Sequence, residues 1–253
     1  MPVDRATGGR ATGTAGVQAA VDRARAYFER FAAEYDDAAR ESGWRLNGRL
    51  AAALAGTGPV RRAVDLACGT GETLDELARV LPGAEVVGVD LAAAMVERSA
   101  ARVPRATVVR ADLRDFVADA RDGWFDVVTV VGGFEFTPDL PALLHEVRRV
   151  VAPGGRLVFT YEPVLDGWPP QSLRVETNLG SNGLELTTFR WDPGEVTAGF
   201  AGWQMVRSAL LAAYRRDDVP TVYGWLEYRR PTGADGAATT AGASGGLSSP
   251  GSS

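Results

Sequence analysis

The stretch Arg62-Ala-Val-Asp-Leu-Ala-Cys-Gly-Thr-Gly-Glu72 constrains this chain more than any other. Ala63, Val64 and Leu66 read as the end of a buried parallel strand. Gly69 and Gly71 permit a tight turn with close backbone approach, and Glu72 to Leu81 take helical spacing. A strand, a glycine turn and a helix make a nucleotide pocket. Glycine pairs also punctuate ordinary turns, so the residues that follow decide what this one holds.

From Val60 onward, strand and helix signals alternate in the βαβ rhythm of a parallel sheet covered on both faces. Strands are expected at 62–67, 85–90, 106–110, 125–131 and 155–161, with helices at 72–81, 92–102, 113–119 and 140–151. Pro153-Gly154-Gly155 is expected to end the last helix before the chain re-enters the sheet. Ahead of this core, Val17, Val21, Ala24, Phe28 and Phe31 recur at helical spacing, and a short helix is expected around Leu46–Leu54. After Tyr161 the rhythm breaks. Leu173–Thr177 and Leu184–Trp191 flank a turn-rich segment as a hairpin, a helix follows from Pro193 to Phe200, and Met205–Tyr214 with Thr221–Tyr228 form an antiparallel hairpin at a sheet edge, joined by Asp217-Asp218-Val219-Pro220. The expected organisation is a flexible leader (1–16), one domain (17–231) and a disordered tail (232–253). Within the domain lie a helical lid (17–59), a cofactor-binding core (60–161) and a substrate-side hairpin and edge (162–231).

Asp90 ends the second strand, 19 residues after Gly71. At the carboxyl edge of a doubly wound sheet it can accept hydrogen bonds from both hydroxyls of a ribose, and Asp112 at the same edge can meet an adenine amino group. A dinucleotide fingerprint wants a third small residue where this chain has Leu74, and the turn carries no arginine. Asp65 instead suits a cationic or zwitterionic ligand. The ligand expected is one with a ribose, an adenine and an ammonium group but no pyrophosphate.

Composition removes other classes. The net charge is −5, against the clustered positive charge that nucleic-acid binding relies on, and no apolar run approaches a membrane span. All 27 basic residues are arginine, so lysine chemistry is absent. Cys68 is the single cysteine and His145 the single histidine. No disulfide or metal cluster is expected, and a reducing cytoplasm fits.

These motifs resemble those of the class I S-adenosylmethionine-dependent methyltransferases. Val64-Asp-Leu-Ala-Cys-Gly-Thr-Gly71 is similar to their first motif, Gly88-Val-Asp90-Leu with Ala94-Met95 to the next, and Arg110-Ala-Asp112-Leu to the adenine motif. Phe125-Asp-Val-Val128 and Leu144–Gly155 are similar to the fourth strand, next helix and fifth strand. The resemblance covers residues 25–230 and implies a Rossmann-like α/β fold, a doubly wound seven-stranded sheet whose last strand runs antiparallel. It implies S-adenosylmethionine as cofactor. Asp65 would lie near its methionine amino group, Ala67, Gly69 and Gly71 would give backbone contacts, Asp90 would hold the ribose, and Leu91, Met95, Asp112 and Leu113 would surround the adenine. Ala67 stands where the motif commonly has glycine. Phe28-Glu-Arg-Phe31 with Tyr35-Asp36 and Trp44 is similar to a lid segment of small-molecule methyltransferases, which makes Tyr35 a cofactor contact. Phe189–Val196 and Tyr214–Pro220 are similar to a bacterial branch near the Williams–Beuren region methyltransferase.

Catalytic candidates are the groups at the carboxyl ends of strands four and five: Glu135 first, as base or substrate orienter, then Tyr161 and Glu162. A solvated loop carboxylate remains the alternative for Glu135. Trp168, Phe189, Trp191 and Tyr214 could wall a substrate or pack a core, whereas His145 and Cys68 read as structural. The expected activity is methyl transfer to a small molecule in specialised metabolism, by a monomer or homodimer acting without nucleic acid or membrane. Two alternatives are a cofactor-assisted cyclisation or rearrangement, and a non-catalytic binding module.

Overall fold

The computed structural model describes residues 14–168, 171–180, 182–216 and 219–233. The first thirteen residues and those after Gly233 lie outside the described residues, as do Asp217 and Asp218 of the expected hairpin turn. Thr14–Gly16, which fall within the expected leader, belong to the first helix.

The core is a seven-stranded sheet in the order β3-β2-β1-β4-β5-β9-β8. Its parallel strands are β1 (Arg62–Leu66), β2 (Glu85–Asp90), β3 (Thr107–Arg110), β4 (Phe125–Val130) and β5 (Val151–Tyr161). Valine, leucine and phenylalanine on both faces account for this: Val64, Leu66, Val89, Val128 and Phe159 are all fully buried, as a sheet covered on two sides requires. The covering helices are α4 (Glu72–Val80), α5 (Ala93–Arg102), α6 (Leu113–Asp119) and α7 (Leu140–Val150).

The last strand in the chain, β9 (Val219–Arg229), runs antiparallel between β5 and the edge strand β8 (Gln204–Arg216). Its insertion fulfils the antiparallel expectation, while β8 rather than β9 forms the sheet edge. The fifth strand begins at Val151, four residues before its expected start, because the Pro153–Gly155 segment is a bulge in the strand and not a loop ahead of it. A side chain at Gly155 would meet the carbonyls of Ala152 and Asp126 at 2.8 Å, so only glycine permits this bulge.

Ahead of the sheet lie α1 (Thr14–Phe31), α2 (Tyr35–Glu41) and α3 (Leu50–Ala53), the last shorter than the sequence suggests. Glu76 of α4 caps α3, accepting from the backbone N–H of Leu50 at 2.7 Å and of Gly48 at 2.8 Å. Beyond β5, β6 (Val175–Leu179) and β7 (Glu185–Phe189) form a separate two-stranded sheet packed on α1, followed by α8 (Pro193–Ala198), which a capping box between Asp192 and Glu195 opens.

Candidate active site

All the strand ends that face α1 and α2 converge on one cavity, which encloses about 1070 Å³ counting the open solvent at its mouth. Its floor is the turn after β1. Ala67, Gly69 and Gly71 take left-handed φ values of 58°, 54° and 91°. A side chain at Gly71 would strike Ser99 Oγ at 2.7 Å, so α5 can approach the turn only because a glycine stands there. Ala67 accepts a conformation that costs an L-residue about 1 kcal/mol, a departure with more consequence than its small size suggested.

Asp90 holds the turn in shape. Its Oδ2 accepts from the Gly69 N–H at 2.8 Å and its Oδ1 from the Ala92 N–H at 3.0 Å. Burial nevertheless raises its pKa. Asp90, Leu91, Met95, Asp112 and Leu113 line the cavity together with Tyr35, Ala67 and Gly69. Asp112 also caps α6 by accepting from the Arg114 N–H at 2.8 Å. Asp65 lies beneath the turn. Thr129 Oγ1 donates to its Oδ1 at 2.6 Å, but Oδ2 is buried with no partner, and burial pushes the carboxyl up to about 7.

The lid is fastened over this floor by charge. Asp36 Oδ1 accepts from Thr70 Oγ1 in the glycine turn at 2.5 Å, and its Oδ2 accepts from Arg102 Nη2 of α5 at 2.6 Å. Glu29 of α1 accepts from the Ala93 N–H at the start of α5 at 2.7 Å. Phe28 and Trp44 line the cavity beside Tyr35, whose phenol is pushed up by burial and by the carboxylates Glu135, Asp90, Glu72 and Asp36. Asp36, Glu29, Thr70 and Arg102 were not singled out from sequence. A surface-type Asp or Arg on a helix carries no periodic signal, and only the fold brings Asp36, Thr70 and Arg102 together and sets Glu29 on the start of α5.

Of the three catalytic candidates, none directly lines the cavity. Glu135 is 3% exposed and lies one layer behind Gly132 and Trp44, which overturns the solvated-loop alternative. Tyr223 Oη is 2.9 Å from Glu135 Oε1 and 3.2 Å from Glu162 Oε1, while Glu135 Oε2 is buried without a partner. Burial first, then Glu162, pushes the Glu135 carboxyl up to about 8. Glu162 is tied at 2.7 Å to the fully buried Arg190, which also reaches Glu176 at 2.6 Å. Tyr161 stands apart from them, packed in the main core against Gly224, and does not share the Glu135 cluster. Tyr223 and Arg190 were missed from sequence. An arginine in a strand pattern and a tyrosine in the last hairpin look like surface and packing residues until the sheet places them.

The aromatic wall divides similarly. Tyr214 stands behind Trp44, with ring centroids 6.2 Å apart, whereas Trp168, Phe189 and Trp191 lie away from the cavity. The His145 side chain is 72% exposed and Cys68 is a buried thiol pushed up by burial, as structural roles require. Among the described residues no cluster of acidic, cysteine and histidine side chains could hold a metal ion, and no helix is long and apolar enough to cross a membrane.

Residues 63–155 match the family model described as a methyltransferase domain. A demethylmenaquinone methyltransferase from Thermus thermophilus is 41% identical over 50% of this chain and 55% of its own length. A nocamycin O-methyltransferase from Saccharothrix syringae is 36% identical over 58% of this chain and 52% of its own length. The chain thus spans about half the length of these curated relatives. An S-adenosylmethionine-dependent methyltransferase from Mesorhizobium loti superposes with a TM-score of 0.55 at 21% identity, over 72% of this chain and 95% of its own, and shares the fold. Residues 63–155 thus match a methyltransferase domain, and the strand order is the fold shared with S-adenosylmethionine-dependent methyltransferases. The cofactor of that class is S-adenosylmethionine.

The residues present fit it. Asp65 Oδ2 is a buried acceptor lacking the cation that an amino-acid ammonium supplies, and the turn has no side chain above Gly69.

Proposed function

We propose that this chain transfers a methyl group from S-adenosylmethionine to a small-molecule acceptor, as part of specialised metabolism. The observation that carries the reading is the cavity lined by the glycine turn, Asp90 and Asp112, with unpartnered carboxylate oxygens of Asp65 and Glu135 buried behind its lining. In this reading Asp65 takes the ammonium of the methionine part, while the backbone at Ala67, Gly69 and Gly71 surrounds it. Asp90 takes the ribose hydroxyls with its remaining lone pairs. Leu91, Met95 and Leu113 enclose the adenine, Asp112 meets its edge and Tyr35 covers it. When bound, the cofactor supplies an electrophilic methyl on sulfur.

The remaining work falls to this chain's own residues. Trp44, Tyr35 and Phe28 exclude water and fix the acceptor close to the methyl, and positioning of this kind supplies much of the rate of an in-line displacement. Glu135 is assigned as base or substrate orienter, acting from behind Gly132 and not from the cavity lining. Glu162 and Tyr223 hold Glu135 and are positioning residues. Tyr161 has no role in this scheme. The name of the nocamycin enzyme, a methyltransferase of a specialised metabolite, supports the metabolic setting.

Incubation with methyl-labelled S-adenosylmethionine and candidate extracts tests the proposal. Transfer of label with a product heavier by one methyl unit is expected, and both are lost in Asp90→Ala. A product of unchanged mass would assign the fold to rearrangement chemistry instead, and failure to bind the cofactor would leave only a binding module.

A further inference from the structure

We infer that the acceptor in this site is an uncharged molecule with a flat aromatic body, held by the rings of Phe28 on the lid and Phe136 after β4. The inference rests on the methyl-transfer reading and names the substrate class for it.

The cavity lining divides by element. The residues assigned to the cofactor come from the turn after β1, from the ends of β2 and β3 and from the helices that follow them, with Tyr35 as their cover. The charged lining residues Glu72, Asp90, Asp112 and Arg114 all lie on those same segments. Two further parts of the lining, the lid as far as Asn47 and residues 131–138 after β4, contribute no charged side chain among the described residues. Val21, Ala24 and Phe28 line the cavity from α1, and Val131, Phe136 and Pro138 from the stretch after β4. Trp44 Nε1 donates to Asn47 Oδ1 at 3.2 Å and Asn47 Nδ2 donates to Glu72, so these polar groups are engaged with one another. The hydroxyls of Tyr35 and Thr137 complete the polar side chains of this half, and burial pushes the Tyr35 phenol up, which keeps it neutral.

Rings from separate elements meet in this half. Phe28 packs edge-to-face on Phe136, with centroids 5.0 Å apart and planes at 70°, and on Tyr35 at 6.3 Å and 66°. Tyr27 stands edge-on to Phe28 at 5.3 Å, and Phe31 to Tyr35 at 6.0 Å, so both inner rings are braced by neighbours. Lid and core therefore build the wall jointly, Phe28 from α1 and Phe136 from the loop after β4. A flat ring joins such a set by the same edge-on or offset packing, because the electron-rich face of one ring attracts the edge of the next. A saturated ring of equal size fills the space without that attraction.

Charge then selects among aromatic occupants. An ion drawn against a wall without charged side chains gives up its water and gains no counterion. Glu135, behind Gly132, supplies no fixed charge, since burial first and then Glu162 push it up to about 8 and favour its uncharged form. Arg114 is the cation of the lining, with Nη2 buried and unpartnered, but it follows Asp112 at the start of α6, on the segment assigned to the adenine. A carboxylate-bearing acceptor reaching Arg114 is thus the rival that the test must separate.

Calorimetry at neutral pH on the full chain saturated with S-adenosylhomocysteine provides the test. The probes are 1-naphthol, its charged counterparts 1-naphthoate and 1-naphthylmethylammonium, and its saturated counterpart decahydro-1-naphthol. In the unaltered chain 1-naphthol should bind about tenfold or more tightly than either charged probe, and about two- to tenfold more tightly than the saturated one. Phe136→Leu should weaken 1-naphthol by about threefold or more and shrink its advantage over the saturated probe, while leaving S-adenosylhomocysteine affinity within about twofold. Four results would each overturn the inference: a charged probe binding as tightly as 1-naphthol, with 1-naphthoate pointing to Arg114; the saturated probe binding as tightly; no binding by any probe; or 1-naphthol affinity unchanged in Phe136→Leu. Failure of the unaltered chain to bind S-adenosylhomocysteine would remove the methyl-transfer reading and the inference with it.

Discussion

Asp90 spends both carboxylate oxygens on backbone N–H groups, one in the glycine turn and one at the start of α5. Removing it frees both N–H groups and, in the proposed reading, the acceptor of the ribose hydroxyls. Asp90→Ala is expected to weaken S-adenosylmethionine binding by about 100-fold or more and to lower the melting temperature by several degrees. Asp90→Asn, which retains one acceptor, should fall between, as calorimetry and thermal unfolding will show. Asp65 makes a different prediction. Its folded pKa of about 7 is above the unfolded value of 3.8, so the folded state keeps a proton that the unfolded chain releases. The stability this confers is greatest at low pH and is lost as pH rises from about 4 towards 7. Cofactor affinity should rise through the upper part of that window, because an ammonium group needs the ionised form. Asp65→Asn is expected to flatten both profiles in melts taken from pH 5 to 8 with and without cofactor.

At the scale of elements, two contacts decide whether the site closes. A Cβ at Gly133 would lie 2.6 Å from the Ala67 Cβ, so the loop after β4 rests directly on the turn after β1. Gly133→Ala alone should destabilise the protein by about 1–3 kcal/mol. Ala67→Gly in the same chain should restore most of it, since it removes the clash and the left-handed strain together, and a double-mutant cycle by denaturant unfolding reads the coupling. The second contact is the Asp36 clasp between lid, turn and α5. Asp36→Ala should leave the sheet intact but speed amide exchange in α1 and α2 by about tenfold, which hydrogen–deuterium exchange resolves by segment. Most of these elements were readable in advance, because valine-rich strands and glycine turns announce themselves by local pattern. The clasp was not, since its partners are 34 and 66 residues apart in sequence. The bulge at Pro153–Gly155 misled because proline and glycine mark loops and strand irregularities alike.

For the whole molecule, the cofactor half of the site was legible and the acceptor half only in outline. Asp90 ends β2 and Asp112 follows β3, where a doubly wound sheet puts its ligands, so their placement on the cavity came from periodicity and spacing, whereas Asp65 lies inside β1 beneath the lining. Glu135 was located by the same rule, but its burial and its dependence on Tyr223 and Arg190 arise from packing between β9, β5 and the separate hairpin. No local pattern encodes that. Tyr161 shows the converse: it ends a strand as the rule requires, yet its side chain alternates into the core.

The insertion of β9 between β5 and β8 sets a timetable for this protein as it leaves the ribosome. The match to the methyltransferase domain ends at residue 155, and the strand that braces Glu135 is made about seventy residues later. Until β9 arrives, β5 presents an open edge and the acceptor end of the cavity has no back wall. A nascent chain halted before Val219 would hold the whole of the matched domain and still lack the tyrosine that binds Glu135.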